Sequence, residues 1–267
     1  MNTPSPWLWE NNPNIERNVD DSFAHIHLHY ETPRMRGFDN ARYHFSYAFH
    51  EDLKRQLNIS IPFTKAVGDI YLSDKERTPI APYTLKPILL INDGHKADIP
   101  VKQWPIHKFQ AVVDALKDDY DIFLIGNTKG GAIHTNLDGA YNAVDRFTER
   151  EYIRLMYQAD AVLTGVSFPM HLCAALNDKD VKHRKCVVLA GGREDVYWEK
   201  YKDQVYLDRV GKLPCCVGHG CWKKLLPGCS GPNSLRCGNP VRCQDMSWAA
   251  KCMDDISVEE VVDALRY

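Results

Sequence analysis

The chain has no apolar run long enough to span a bilayer, and its opening stretch, MNTPSPWLWENNPNIERN, lacks the basic and apolar halves of a secretion signal. Both absences predict a cytoplasmic protein without a transmembrane segment. No excess of one charge is present either. Lys and Arg number 33 against 35 Asp and Glu, a formal net charge of −2, and the basic residues are scattered. A nucleic-acid groove or a binding face for anionic membranes needs concentrated positive charge, so neither partner is expected. Internal repeats and low-complexity tracts are also missing, which leaves an ordinary globular chain. With 267 residues and 44% hydrophobic content it can build a real core in one or two domains.

Cysteine is unevenly spread. Seven of the nine lie between Cys215 and Cys252, while Cys173 and Cys186 sit in apolar segments. In a chain without a secretion signal, clustered thiols point to metal more than to disulfides. The surrounding stretch is rich in glycine and proline and poor in apolar residues, so it needs a staple, and four thiolates around zinc or iron would supply one. Reduced free cysteines or adventitious disulfides are the alternative.

Residues 1–84 read as a partial N-terminal domain and linker. HIHLHY (25–30) alternates with the period of a strand, and RYHFSYAFHEDLKRQL (42–57) places Phe45, Phe49, Leu53 and Leu57 on one helical stripe. His25, His27, His29 and His44 raise a metal site as one reading, against a plain solvated or packed strand.

From residue 85 the pattern becomes regular. Strands are predicted at PILLIN (87–92), DIFLIG (121–126), AVLTG (161–165) and CVVLA (186–190). Between them lie a helix opening at Pro105, one opening at the Thr148/Glu151 capping box, and one opening at Pro169. A terminal helix is signalled by Ser257 and Glu260. Short, continuously apolar strands alternating with amphipathic helices predict a doubly wound α/β domain over 85–212 with a parallel sheet, followed by a cysteine-rich tail and terminal helix over 213–267. Ligands of such sheets lie beyond the carboxyl ends of the strands. There the sequence collects Asn92-Asp93-Gly94, Gly126-Asn127-Thr128, Gly165-Val166-Ser167 and Gly191-Gly192-Arg193-Glu194, four loops expected to meet at one crevice. The start of the Pro169 helix offers unpaired N–H groups suited to a phosphate.

KADIPVKQWP (96–105), SFPMHLCAAL (167–176), CVVLAGGREDVYWEKY (186–201) and LPCCVGHGCWKK (213–224) together resemble the family-nine glycosyltransferases, the heptosyltransferase-like enzymes. The resemblance implies a GT-B fold whose C-terminal, Rossmann-like half binds a nucleoside-diphosphate sugar. By the same resemblance Lys102, Ser167, Met170 and His171 contact the donor diphosphate and sugar, with Lys102 neutralising the leaving diphosphate; Asn92 and Lys96 are assigned to the same donor contacts by their position in the crevice, to which Asp98 also belongs. Gly126, Asn127 and Glu194 would contact the nucleoside. His171 reads equally well as a core histidine, and Glu194 as a helix cap. Some relatives carry a four-cysteine metal finger, which implies Cys216, Cys221, Cys237 and Cys252, with Cys215 competing for the first position. Many members have an acidic residue where this chain has Val166 and a glycine where it has Phe168, so the donor sugar stays open.

The expected activity is transfer of a sugar, a heptose by resemblance, to a hydroxyl on a glycan, lipid or protein acceptor. The family places its catalytic base in a complete N-terminal domain, of which only the later part is resembled here. Asp20, Asp21, Glu31 and Asp39 are carboxylates in that segment, and none is singled out as catalytic. The alternatives are an inactive, truncated sugar-nucleotide-binding or assembly protein, complemented by a partner chain or a second copy, and a metal-dependent interaction module.

Overall fold

A computed structural model describes residues 5–16, 26–30, 42–80, 86–178 and 182–266. Its strands are β1 (Ile88–Asn92), β2 (His95–Lys96), β3 (Asp121–Leu124), β4 (Ala132–Ile133), β5 (Tyr141–Asn142), β6 (Ala161–Gly165), β7 (Lys185–Gly191), β8 (Gln204–Asp208), β9 (Pro240–Arg242) and β10 (Trp248–Ala250). The helices are α1 (Phe45–Leu57), α2 (Ile106–Leu116), α3 (Glu149–Gln158), α4 (Phe168–Asn177), α5 (Val196–Glu199), α6 (Lys251–Asp254) and α7 (Val258–Arg266).

Six strands form one parallel sheet in the order β5-β3-β1-β6-β7-β8. The chain runs outward from β1 through β3 to β5, returns beside β1 as β6, and then runs outward the other way. The order therefore reverses between β1 and β6, which opens a crevice above their carboxyl ends. β1 is buried along its whole length because helices cover both faces. Its side chains alternate between two cores. Leu89 and Ile91 join Val112, Val113, Leu116 and Leu265 under α2 and α7, while Ile88 and Leu90 join Ile153, Met156 and Leu172 under α3 and α4.

Local chemistry sets the helix starts. Thr148 accepts from Glu151 N while the Glu151 carboxylate accepts from Thr148 N, a complete capping box for α3. Ser257 and Glu260 do the same ahead of α7. The predicted helices and four predicted strands are present. The sheet has in addition β5 and β8 at its edges, where YN and QVYLD are too polar or too short to announce a buried strand.

One expectation fails. Residues 26–30 form no strand: the His27 carbonyl accepts from the Gln56 side chain of α1, and Tyr30 packs edge-to-face on Phe49. The segment has no neighbouring strand among the described residues, and a strand without a partner leaves its ladder groups unsatisfied. His25, Asp20, Asp21, Glu31 and Asp39 lie outside the described residues. His44 caps α1, its Nδ1 accepting from Ser46 N. The described residues before β1 pack on the sheet domain, and Arg150 of α3 binds them together through Trp7 O, Tyr71 O and the Glu76 carboxylate.

Candidate functional site

A cavity of about 770 Å³ occupies the crevice at the reversal point. That is the size of a small-molecule site. Asn92, Gly94, Lys96 and Lys102 line it from beyond β1, Gly126, Asn127 and Thr128 from beyond β3, and Gly165 to Pro169 from beyond β6. Ser5, Trp7 and Leu8 close another side. Asn92 is fixed at the floor, its Nδ2 donating to Ile125 O at 3.0 Å. Asp98 does not line the cavity.

The fourth strand end does not join the other three. Gly191 has φ 61°, and a Cβ on it would lie 2.5 Å from Met253 Sδ; one on Gly192 would lie 3.1 Å from Cys216 Sγ. These glycines admit the cysteine-rich segment rather than a ligand. Glu194 follows the same course. Its side chain is 2% exposed and off the cavity, with Oε1 held by Lys102 Nζ at 2.5 Å and by Arg193 Nη1. It is the counter-ion of Lys102, not a residue open to ribose hydroxyls.

Lys102 ends a one-turn 3₁₀ helix (Pro100–Lys102) and donates to Val166 O at 3.3 Å, which brings its ammonium beside the start of α4. Ser167 is the N-cap of α4 and makes no capping bond; its Oγ lies 3.1 Å from Thr164 Oγ1. Pro169 has no N–H and Met170 N donates to Ser167 O, so of the first three helical residues Phe168 brings the N–H left for an anion. Met170 is wholly buried and lies off the cavity, its carbonyl accepting from Gln204 Nε2. His171 faces a second, apolar cavity of about 560 Å³, with Nδ1 2.9 Å from the Tyr201 hydroxyl. Burial, aided by His44 and Lys102, lowers the His171 pKa to about 4, so it is neutral near neutrality. Met170 and His171 therefore do not line the 770 Å³ cavity.

The sequence reading missed a residue that lines it, His134, and the carboxylate that holds it. Asp93 is buried and accepts from His134 Nδ1 at 2.8 Å and from Thr135 N at 2.8 Å. Beyond β5, the Asp145 carboxylate accepts from Thr128 N and Oγ1 and ties down the loop after β3. Asp93 sat in the first strand-end loop, but nothing in the spacing marked His134 as its partner.

In the tail, Cys215, Cys221, Cys237 and Cys252 line one cavity of about 10 Å³, closed by Val101 and Arg193. That volume is of the order of a single water or small ion. Cys216 is elsewhere: its thiol donates to Arg209 O at 3.3 Å and packs on Gly192. The spacing could not choose between the neighbours, and the 3₁₀ turn at Pro214–Cys216 directs Cys215 to the cavity. Burial raises Cys221 to about 11 and Cys252 to about 12, and the neighbouring thiols add to both shifts. A cation among them would reverse that direction, since thiolates are the binding form. Four thiols are the donor type of a tetrathiolate metal site, but among the described residues no group of three or more His, Cys, Asp or Glu side chains is placed to hold a metal ion.

The model of glycosyltransferase family 9 (heptosyltransferase) matches residues 46–182, just over half of the chain. The chain belongs to glycosyltransferase family 9. The match runs from α1 through α4 and so includes all three cavity-forming strand ends. A family 9 glycosyltransferase from Veillonella parvula DSM 2008 shares the fold, with TM-score 0.55 and 16% identity over 86% of this chain and 60% of that one. E. coli ADP-heptose LPS heptosyltransferase II aligns with TM-score 0.47 and 16% identity, covering 77% and 54%. The dodecameric iron-containing heptosyltransferase TibC, solved with ADP-D-β-D-heptose, aligns with TM-score 0.46 and 14% identity, covering 70% and 46%. This family 9 chain thus spans about half to three-fifths of the length of these neighbours. No match was found among curated proteins. Among the described residues no helix is long and apolar enough to cross a membrane.

Proposed function

We propose that the chain binds a nucleoside-diphosphate sugar in the 770 Å³ cavity and takes part in transferring its sugar to an acceptor hydroxyl on a glycan, lipid or protein. The observation that carries this reading is the meeting of Lys102 with Ser167 and the Phe168 N–H at the switch point of a parallel sheet. In the transfer, the bond from the anomeric carbon to the diphosphate oxygen breaks as the acceptor oxygen bonds to that carbon. Charge grows on the departing diphosphate, and a cation placed beforehand stabilises that charge more than it does the bound donor. Gly126 and Asn127, beyond β3, are on the side left for the nucleoside, and Lys96 lies at the exposed rim. The acceptor's proton goes to a base that no described residue is assigned to be.

Cys215, Cys221, Cys237 and Cys252 would hold a structural metal, zinc or iron, because four thiolates suit either. Its chemistry would be that of a clamp on a segment of little regular structure.

Titration calorimetry with ADP and UDP tests the donor reading. Binding that weakens about tenfold or more in Lys102→Ala is expected, from the loss of one charge-assisted contact worth about 1.5–3 kcal/mol. No binding of either nucleotide, or binding indifferent to Lys102, would reject it. Binding without turnover of any sugar nucleotide would favour the inactive binding or assembly protein.

A further inference from the structure

Glu194 does not line the 770 Å³ cavity, yet it is among the most deeply buried carboxylates of the described residues. Its partner Lys102 has three N–H groups: one meets Glu194 Oε1 at 2.5 Å, one Val166 O at 3.3 Å, and the third is left for the cavity that Lys102 lines. Arg193 shares Oε1, so two cations stand on one carboxylate.

One stretch of the cysteine-rich segment holds both sides of this arrangement. Cys221 N donates to Gly192 O and Trp222 N to Arg193 O, each at 3.0 Å, and Arg193 Nε donates to Lys223 O at 2.7 Å. On the other flank Val101 N donates to Lys224 O at 3.4 Å. Gly220 lies so close that a Cβ on it would stand 2.2 Å from Arg193 O. Val101 and Arg193, the sequence neighbours of Lys102 and Glu194, also wall the cysteine cavity.

We infer that Glu194 is a positioning residue for Lys102, and that Gly220–Lys224 fixes the two, so that the cysteine cavity and the cationic side of the donor cavity share one wall. A free lysine must give up rotamer entropy when it meets an anion, and one already held loses less. The benefit to phosphate binding rests on the donor reading above; the positioning of Lys102 does not.

Acetylation rates of individual lysines, read by mass spectrometry on the full chain with limiting acetic anhydride, test this without a nucleotide. Lys129, at the rim of the same cavity and 82% exposed, is the internal reference. Glu194→Gln should raise the Lys102 rate about two- to fivefold, the size of a partly exposed ion pair of up to 1 kcal/mol, and leave Lys129 unchanged. Glu194→Asp, which keeps the charge but falls short of Nζ, should give a smaller rise. Gly220→Ala must displace the Arg193–Asp195 backbone and should raise the Lys102 rate as well, with little further rise when combined with Glu194→Gln. An unchanged Lys102 rate in Glu194→Gln would overturn the inference, as would an equal rise at Lys129, which would mean general loosening. Absence of ADP binding with the expected acetylation pattern would count against the donor reading alone.

Discussion

The His134 imidazole lies across the backbone of Gly126: a Cβ added to that glycine would stand 2.2 Å from His134 Cε1, and one on Gly94 2.4 Å from the same atom. The ring reaches this place because Asp93 holds its Nδ1. Two strand ends and the loop between β3 and β5 are thus closed onto one another, and that loop supplies one side of the 770 Å³ cavity.

Gly126→Ala should therefore be damaging twice over, because Gly126 has φ 151° and its neighbour cannot retreat without leaving Asp93. A loss of about 1–3 kcal/mol in urea unfolding is expected, with weaker ADP binding. Wild-type stability in this variant would show that the His134 loop is loosely held.

The metal reading separates two adjacent thiols. Cys215→Ser should lower the bound metal measured by elemental analysis, whereas Cys216→Ser, outside the four-cysteine cavity, should keep it. Equal retention in both variants would remove the proposed quartet.

A third expectation concerns pH. Burial raises the Glu199 carboxyl from 4.5 to about 7, with Glu194 adding to the rise and Lys102 and Arg193 opposing it. The folded chain then holds this proton more tightly than the unfolded chain does. Its contribution to stability is complete below pH 4.5 and is lost as pH rises through 7. His44 and His171, both lowered from 6.5 to about 4 chiefly by burial, act oppositely: their contribution is complete above 6.5 and is lost as pH falls through 4. Glu199→Gln should remove the decline toward neutral pH, gaining on the order of 1–3 kcal/mol over wild type at pH 8 and little at pH 4. Urea midpoints across that range check it, and parallel curves for the two proteins would refute it.

The α3 capping box gives a smaller, cleaner number. Thr148→Ala removes the acceptor for Glu151 N and should destabilise by about 1 kcal/mol, readable as a shift in the urea midpoint with an unchanged slope.

That capping box was legible because all its chemistry lies within four consecutive residues. The buried strands β1, β3, β6 and β7 were legible for a similar reason: burial on both faces writes itself as an unbroken apolar run. β8 was not, since Gln204 is used inside to bind Met170 O and Asp208 ends the strand at the sheet edge. Asn92, Lys102 and Ser167 were found from strand ends and a family-like motif, and the structure brings them to one cavity. Glu194 was misjudged because a carboxylate after two glycines at a strand end looks the same in sequence whether it faces a ligand or a lysine. Only the packing of the cysteine-rich segment on Gly191 and Gly192 decides between them. His134 went unseen because its partner Asp93 lies 41 residues away.

Phe168 stands on the border of both large cavities, touching Trp7 edge-on at 5.8 Å and Tyr152 at 6.1 Å. Together with Leu8, this side chain, 39% exposed, separates the two. Under the donor reading proposed above, Phe168→Gly would open the 770 Å³ cavity toward the second one and widen the space left for a sugar. The bulk of one residue at the start of α4 would then bear on which donors fit.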